Sequence, residues 1–496
     1  MGRAWAIARR SMISRVLTVL AMILFNATFS DHAAGGVHEY KHYSSSNANE
    51  PSLRHTIPQT FTRWDSAWLL TIAEEGYPVP SSAEGIPTAE QVHAFLPLYP
   101  YLVSFLAEVL PVPALLRHEA LVLWGVLVSN LAFVASALAL YYLGIAVLDN
   151  EPLAFQAAQL YCLNPASVFF SAIYTESFFA ATTFCAFAVL EGSSRPSSSR
   201  AWLSALLLST ATACRSNGTT CCVVFGLVKL RWLVQSLPCN GSYAPWVLGL
   251  LKTAIPTALQ LALIVLPYAV FQAYCYAMFC SHKLPTQPPS WCYDSPPTLY
   301  GHVQSTYWGV GFLRYYQLKQ VPNFLLAMPV LLISAWGLTS YVLSSSDKYG
   351  VYARSYRRGS VMPYMLHWGV LAAVAALIMN VQVRVGTETH SHRHACLPSL
   401  FTPLAYLLLP VTNSLGMLVC GCHQVSTRFL CAACPALHWF IALVVMETPP
   451  PQPSGTDTES NGGARPLSSS KACLKAWRLG YFFLGTGLHS NFYPWT

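Results

Sequence analysis

Eleven stretches of mostly apolar residues recur along this chain, near 14–28, 96–113, 120–148, 166–190, 201–228, 246–272, 322–344, 362–381, 397–421, 428–446 and 475–490. Each reaches or approaches the roughly 20 residues a helix needs to cross a bilayer. Charged residues are only 10% of the chain, against about a quarter in ordinary soluble domains. That much apolar surface, in a chain of 496 residues with so few charges, excludes a soluble globule. The sequence predicts an all-α polytopic membrane protein with about 9–12 membrane helices, some entering the membrane without spanning it.

The net charge of +8 is no nucleic-acid footprint, because its positive residues cluster beside apolar runs. Arg3, Arg9, Arg10 and Arg15 lie before and at the start of the first run, and Lys348, Arg354, Arg357 and Arg358 fill one loop. The positive-inside rule places both segments on the cytosolic side. Segment 29–94, which holds 8 of the 20 acidic residues, then forms a first lumenal loop, and 273–320 a second on the same face. The first run also reads as a cleavable leader, with a basic start and a modest apolar core; either way the loop after it leaves the cytosol. The sequon Asn26-Ala27-Thr28 favours that side but lies close to the membrane. Residues 447–474 are low-complexity and read as a disordered loop.

Most of the 15 cysteines fall in apolar runs and read as small core residues. Cys280 and Cys292 instead flank a polar segment, where a disulfide fits. The pairs Cys420/Cys422 and Cys431/Cys434, and the run His390, His392, His394, have metal-like spacing without a matching second pair. No metal site is expected.

Segment 62–78, TRWDSAWLLTIAEEGYP, carries Arg63, Trp64, Asp65, Glu74 and Glu75. Trp64, Trp68, Leu69, Ile72 and Ala73 recur at helical spacing. They suggest a helix along the membrane surface with its tryptophans at the interface and Thr62 or Ser66 as N-cap. Asp65 then stands where a helix N-terminus stabilises a carboxylate. Glu176 lies inside the apolar run 166–190, downstream of a break at Asn164-Pro165, and Arg215 inside 201–228, a run that also reads as two short helices. A charge at such positions needs a partner or a cavity. Arg215 could pair with Glu176 or grip a lipid phosphate with two of its nitrogens. Segment 304–327 combines aromatics, Trp308 among them, with Gln304, Arg314 and Lys319. Aromatic faces beside hydrogen-bonding groups suit sugar rings, and they equally suit an interfacial belt. No Walker loop and no G-x-G-x-x-G before a helix is present, so a lipid-borne substrate fits better than a nucleotide-activated one.

Several motifs in order carry a resemblance: RWDSAWLLTIAEEGY, HAFLPLYP, CLNPASVFFSAIYTESFFA, ATACRSNG, QSTYWGVGFLRYY and the terminal GYFFLGTGLHSNFYPWT. From residue 63 to the last residue the chain resembles the PIG-V family, the mannosyltransferases that add the second mannose to glycosylphosphatidylinositol (GPI) anchor precursors. The resemblance implies residues 1–496 as a single GT-C-type catalytic domain in the endoplasmic-reticulum membrane, with the active site in its lumenal loops. It implies dolichyl phosphate mannose as donor, the mannosylated GPI precursor as acceptor, no metal or other cofactor, no nucleic acid, and a possible partner membrane subunit. The family's tryptophan–aspartate pair falls on Trp64 and Asp65, which makes Asp65 the catalytic base. Arg215, with Arg63 or Arg314 as alternates, would offset the donor phosphate. Glu74, Glu75 and Glu176 would bind acceptor or hold the basic groups, with Gln304 and Trp308 in the second loop.

One departure stands out. A motif that the family carries in one piece appears here as MNVQV at 379–383 and HQVSTRFL at 423–430, which marks 384–424 as an insertion. Two rival readings are another GT-C enzyme acting on a different lipid-linked sugar or acceptor, and a non-catalytic lipid-binding or transport protein. Concentration of ionisable residues at one membrane face, rather than along a path through the midplane, disfavours transport.

Overall fold

A computed structural model describes residues 2–29, 38–43, 53–79, 86–192, 199–236, 243–281, 288–314, 316–343, 351–378, 425–446 and 466–491. The described chain is a bundle of helices. The first loop contributes α2 (Leu53–Gln59), α3 (Asp65–Glu75) and α4 (Ile86–Val92) after the N-terminal α1 (Gly2–Thr28). Then come α5 (Leu98–Val109), α6 (Arg117–Leu148), α7 (Glu151–Tyr161), α8 (Glu176–Glu191), α9 (Ser199–Cys214), α10 (Cys221–Ser236) and α11 (Tyr243–Cys280). The rest are α12 (Leu299–Thr306), α13 (Val321–Leu343), α14 (Val351–Tyr356), α15 (Met362–Leu377), α16 (Val425–Ala433), α17 (Pro435–Met446) and α18 (Pro466–Ser490).

Among the described residues four helices are long and apolar enough to cross a membrane: α1, α6, Leu251–Cys280 of α11 and Asn323–Leu343 of α13. A fifth crossing results if α16 and α17, bent 91° at a short break, count as one. Runs 96–113, 166–190, 201–228 and 362–381 occur as shorter helices, and two of them break at the site. Run 201–228 divides between α9 and α10, with a 3-10 turn at Ser216–Thr220 between them. Gly218 permits that turn: a Cβ there would lie 2.5 Å from the Thr212 Cα. Run 166–190 divides too. A 3-10 turn at Ser167–Phe170 follows Asn164-Pro165, and α8 starts only at Glu176. Glu176 is therefore a helix N-terminal residue, not a mid-helix one.

The two ends of the bundle differ chemically. Arg3 pairs with Glu151 at 3.1 Å, and Arg358 with Asp149 at 2.7 Å. Asp149 and Glu151 are two residues apart, so the two basic segments expected on one side share one end of the bundle. At the other end the two loops meet. Glu90, its side chain 2% exposed, accepts hydrogen bonds from Trp291 Nε1 at 2.8 Å and Tyr307 Oη at 2.6 Å. Cys280 and Cys292 form a disulfide in the same second segment. Glu90→Ala is expected to cost about 1–3 kcal/mol for each buried donor left unpaired, read as a lower melting temperature of purified protein.

Between the ends, irregular backbone is buried inside the bundle, where unpaired polar groups are costly. The carbonyls after α7 are satisfied by side chains from other helices. Arg478 of α18 donates to Leu160 O and Leu163 O, and Ser14 to Cys162 O. Arg15 donates to Ser167 O and the Ser171 hydroxyl, both at 2.9 Å. Arg15 is thus a buried strut of the bundle and not one of the surface charges its neighbours suggested, and α1 is built into the core.

Three further expectations are corrected. Helix α3 does not leave its tryptophans at an open interface; it packs against α5 and α6, with Trp64 buried and Trp68 stacked on His38 at 3.8 Å. Neither Thr62 nor Ser66 caps it, since the N-cap residue is Trp64 and no side-chain cap bond forms. Residues 466–474, expected to be disordered with the rest of 447–474, begin α18, where Ser, Lys, Ala and Leu replace the Pro/Gly-rich stretch. The insertion 384–424, its apolar run 397–421, the histidine run and residues 447–465 lie outside the described residues.

Candidate functional site

Two helix N-termini face each other where the broken runs open the bundle. Asp65 is the first residue of α3 and Glu176 the first of α8, so each carboxylate sits at the positive end of a helix dipole. The residue before Asp65 is strained: Trp64 has φ 57° and ψ −127°, a region bulky residues avoid. Such a conformation costs on the order of 1–3 kcal/mol and tends to persist at functional sites. The Asp65 backbone N–H donates to Tyr174 Oη at 3.3 Å, which ties the start of α3 to the loop before α8.

Four charges form a chain. Asp65 Oδ2 accepts from Arg428 Nη1 at 2.8 Å, and Arg428 Nε lies 3.6 Å from Glu176 Oε1. Glu176 Oε1 lies 2.6 Å from Arg215 Nη1. That last contact is an ion pair without hydrogen-bond alignment, as both Glu176 oxygens lack an aligned donor; the attraction of opposite charges needs no such alignment. Arg215 also donates from Nη1 to Thr175 Oγ1 at 2.9 Å and from Nε to Asn217 Oδ1 at 3.3 Å. The Arg428 guanidinium lies 5.3 Å from the Phe169 ring centre and 5.4 Å from that of Tyr174. His489 of α18, fully buried, places Nε2 at 3.4 Å from Tyr174 Oη. Because Tyr174 Oη accepts from Asp65, its own proton is available to His489 Nε2. Exposure grades along the chain: the Glu176 side chain is 0% exposed, Arg428 12%, Arg215 21% and Asp65 32%. The carboxylate with access to a substrate is that of Asp65.

Arg215 therefore pairs with Glu176, one of the two partners open to it from sequence. Arg63 is buried elsewhere, its Nη2 donating to Asn26 Oδ1 at 2.8 Å, while Asn26 Nδ2 reaches Thr56 O at 3.3 Å. The Asn26 amide is thus already engaged. Glu74 and Glu75 sit roughly 14 Å along α3 from Asp65, at about 1.5 Å per residue. They hold the segment at 38–43: Tyr40 Oη donates to Glu74 at 2.7 Å, His42 Nε2 lies 2.9 Å from it, and Lys41 reaches Glu75 at 2.5 Å. Burial opposes ionisation of Glu74, but the bonds from Tyr40 and His42 and the Lys41 charge together outweigh it, so its pKa lies below the usual carboxylate value. That contribution to docking is present above the ordinary carboxylate pKa and is lost as pH falls through the lower folded value.

The second loop approaches the site indirectly. Trp308 meets Phe95 edge-on at 6.1 Å, and Phe95 stacks at 6.2 Å with Trp68, one turn from Asp65. Gln304 contributes its carbonyl to Val310 N–H at 2.7 Å, and Arg314 is exposed, 3.5 Å from Ser305 O. The structure does not bring these three into the chain of charges. Among the described residues no three His, Cys, Asp or Glu side chains converge as for a metal ion.

Sequence reasoning missed Arg428, Tyr174 and His489 as site residues. Arg428 had a usable signal, a lone arginine opening the apolar run 428–446, which calls for a partner just as Arg215 does. Tyr174→Phe removes the acceptor for the Asp65 N–H and keeps the ring beneath Arg428. Losing a bond worth about 1 kcal/mol of stability predicts a slightly lower melting temperature of the purified protein, and the loosened start of α3 predicts slower turnover.

Comparison with known proteins bears on this geometry. A family described as Mannosyltransferase (PIG-V) matches residues 6–496. GPI alpha-1,6-mannosyltransferase 2 of Cricetulus griseus is 31% identical over 99% of this chain and 98% of its own length. The Homo sapiens protein of that name is 30% identical over the same shares, and GPI mannosyltransferase 2 of Drosophila pseudoobscura pseudoobscura is 27% identical over 99% of both. Among solved structures, an Archaeoglobus fulgidus oligosaccharyltransferase aligns with 97% of this chain and 53% of its own, at 11% identity and a TM-score of 0.34.

Proposed function

The chain belongs to the PIG-V mannosyltransferase family, and from that membership we propose that it transfers the second mannose, in α-1,6 linkage, from dolichyl phosphate mannose to the GPI-anchor precursor. It is a multi-pass membrane glycosyltransferase; the endoplasmic-reticulum location, the lumenal face and the identity of the donor belong to the proposal. A partner membrane subunit is proposed on the resemblance alone.

The observation that carries the reading is the partly exposed Asp65 carboxylate at a helix N-terminus, paired with Arg428 and linked through it and Glu176 to Arg215, at the bundle end away from the basic segments. In the step we propose, the acceptor's 6-hydroxyl oxygen attacks the anomeric carbon of the donor mannose and its proton passes to Asp65. The new C–O bond forms as the bond to phosphate breaks, and the electron pair leaves with the dolichyl phosphate. A β-linked donor thus gives an α-linked product by single displacement. One base on the hydroxyl and positive charge at the leaving oxygen suffice. Arg215 offsets that charge, and Glu176 holds it in place from its buried position. The reading assigns this role to guanidinium side chains, not to a metal.

The test is expression of Asp65→Asn and Arg215→Ala in cells lacking the family enzyme, with surface GPI-anchored protein as readout. Both are expected to fail to restore it. Full restoration by Asp65→Asn at normal protein level would remove Asp65 as base.

A further inference from the structure

The acid the reaction needs free is not free. Asp65 Oδ2 is held by Arg428 at 2.8 Å, and the same guanidinium, through Nε at 3.6 Å, faces Glu176. Arg428 stands over the rings of Phe169 and Tyr174 on a shelf only 12% exposed. The Asp65 oxygen that accepts from Arg428 is occupied by that bond and is not open to a substrate hydroxyl. The arginine, shared between two carboxylates, is in turn a weaker anion binder. Asp65, Glu176, Arg215 and Arg428 sum to zero charge, and Arg215, 2.6 Å from Glu176, keeps that partner while it faces the leaving oxygen. An incoming anion can recruit Arg428 only in competition with Asp65.

We propose that Arg428 is a further catalytic residue with two successive partners: it caps Asp65 in the empty enzyme and moves to the lipid phosphate when the donor binds, which unmasks the base. Binding of the phosphate and liberation of Asp65 are then one event. Donor binds before acceptor, and the Asp65 oxygen is freed only when there is a sugar to transfer. Glu176 supports the exchange. Fixed at the start of α8 and fully buried, it keeps the guanidinium near both positions. Fork-shaped donors suit such an exchange, as a guanidinium can grip two oxygens of either a carboxylate or a phosphate. The inference rests on the dolichyl-phosphate reading above and is separable from it by experiment.

The experiment measures affinity for dolichyl phosphate, the leaving group itself, with the full-length protein purified in lipid nanodiscs. Asp65→Asn, which loses the charge that holds Arg428, is expected to bind dolichyl phosphate about tenfold more tightly, a coupling of ordinary size, while transferring mannose at least about a hundredfold more slowly. Arg428→Met is expected to weaken binding, and the tightening is expected to vanish in Asp65→Asn combined with Arg428→Met. Arg428→Lys, which keeps the charge without the fork, serves should the methionine variant fold poorly; it is expected to erase most of the tightening in the same combination. Tightening that persists without Arg428 would be plain relief of charge repulsion and would overturn the proposal. Unchanged affinity in an inactive Asp65→Asn enzyme would overturn it too, leaving the base intact. Near-normal mannose transfer by Asp65→Asn would instead strike at the base itself.

Discussion

Asp65→Asn is expected to lower mannose transfer by about 10²–10⁴-fold, the usual worth of a positioned general base, with the protein still folded. The substitution keeps the size of the side chain and its place at the start of α3, and removes only the charge and the capacity to take a proton. The backbone tie to Tyr174 Oη does not involve the side chain and stays. Arg428 loses one carboxylate and keeps the other, Glu176 at 3.6 Å, so no buried charge is stranded. Labelled mannose moved from dolichyl phosphate mannose to the GPI precursor in membranes gives the rate, and a melting curve of the purified protein gives the fold. A large fall in rate with an unchanged melting temperature is the expected pair of results; near-normal transfer would require another base.

Glu176→Ala is expected to do the opposite kind of damage, removing folded protein rather than a chemical step. Its side chain is 0% exposed and sits 2.6 Å from Arg215. Stripping one member from a buried ion pair leaves an uncompensated charge, at a cost of about 3–5 kcal/mol. That is a large share of the roughly 5–15 kcal/mol that holds an ordinary domain together. Combining Glu176→Ala with Arg215→Ala is expected to recover part of the loss, because no charge is then stranded. The yield of monodisperse protein after solubilisation and its melting temperature measure both. Full stability of Glu176→Ala alone would show that the pair is not what holds the α8 and α9 ends together.

Reading the chain from its residues reached far, with gaps at identifiable places. Apolar runs and low charge announce a helical membrane bundle, and charge clustering placed two loops on one face; the Glu90 bonds to Trp291 and Tyr307 join those loops. Asp65 stood out because carboxylates are scarce. The division of 201–228 into two short helices and the break at Asn164-Pro165 were legible; what could not be read was how far the second break extends. Ser171 to Thr175 contains no Gly or Pro, so nothing in that stretch announces that α8 begins at Glu176. Buried arginines were misread for a related reason. Arg15 looks like a positive-inside charge until the carbonyls around 160–171 need its donors. Tyr174 and His489 are 315 residues apart and meet only through the bundle. Among 26 tyrosines nothing local sets Tyr174 apart. Arg428 was hidden because HQVSTRFL stands some forty residues from MNVQV, although a lone arginine opening an apolar run should have raised the same question as Arg215.

The most direct measurement of the central claim is the lipid-linked GPI intermediate that builds up in cells lacking this protein. The account predicts a precursor carrying a single mannose, cleared by the wild-type chain and not by Asp65→Asn. Accumulation of a precursor with no mannose or with two, or of no GPI intermediate at all, would contradict it.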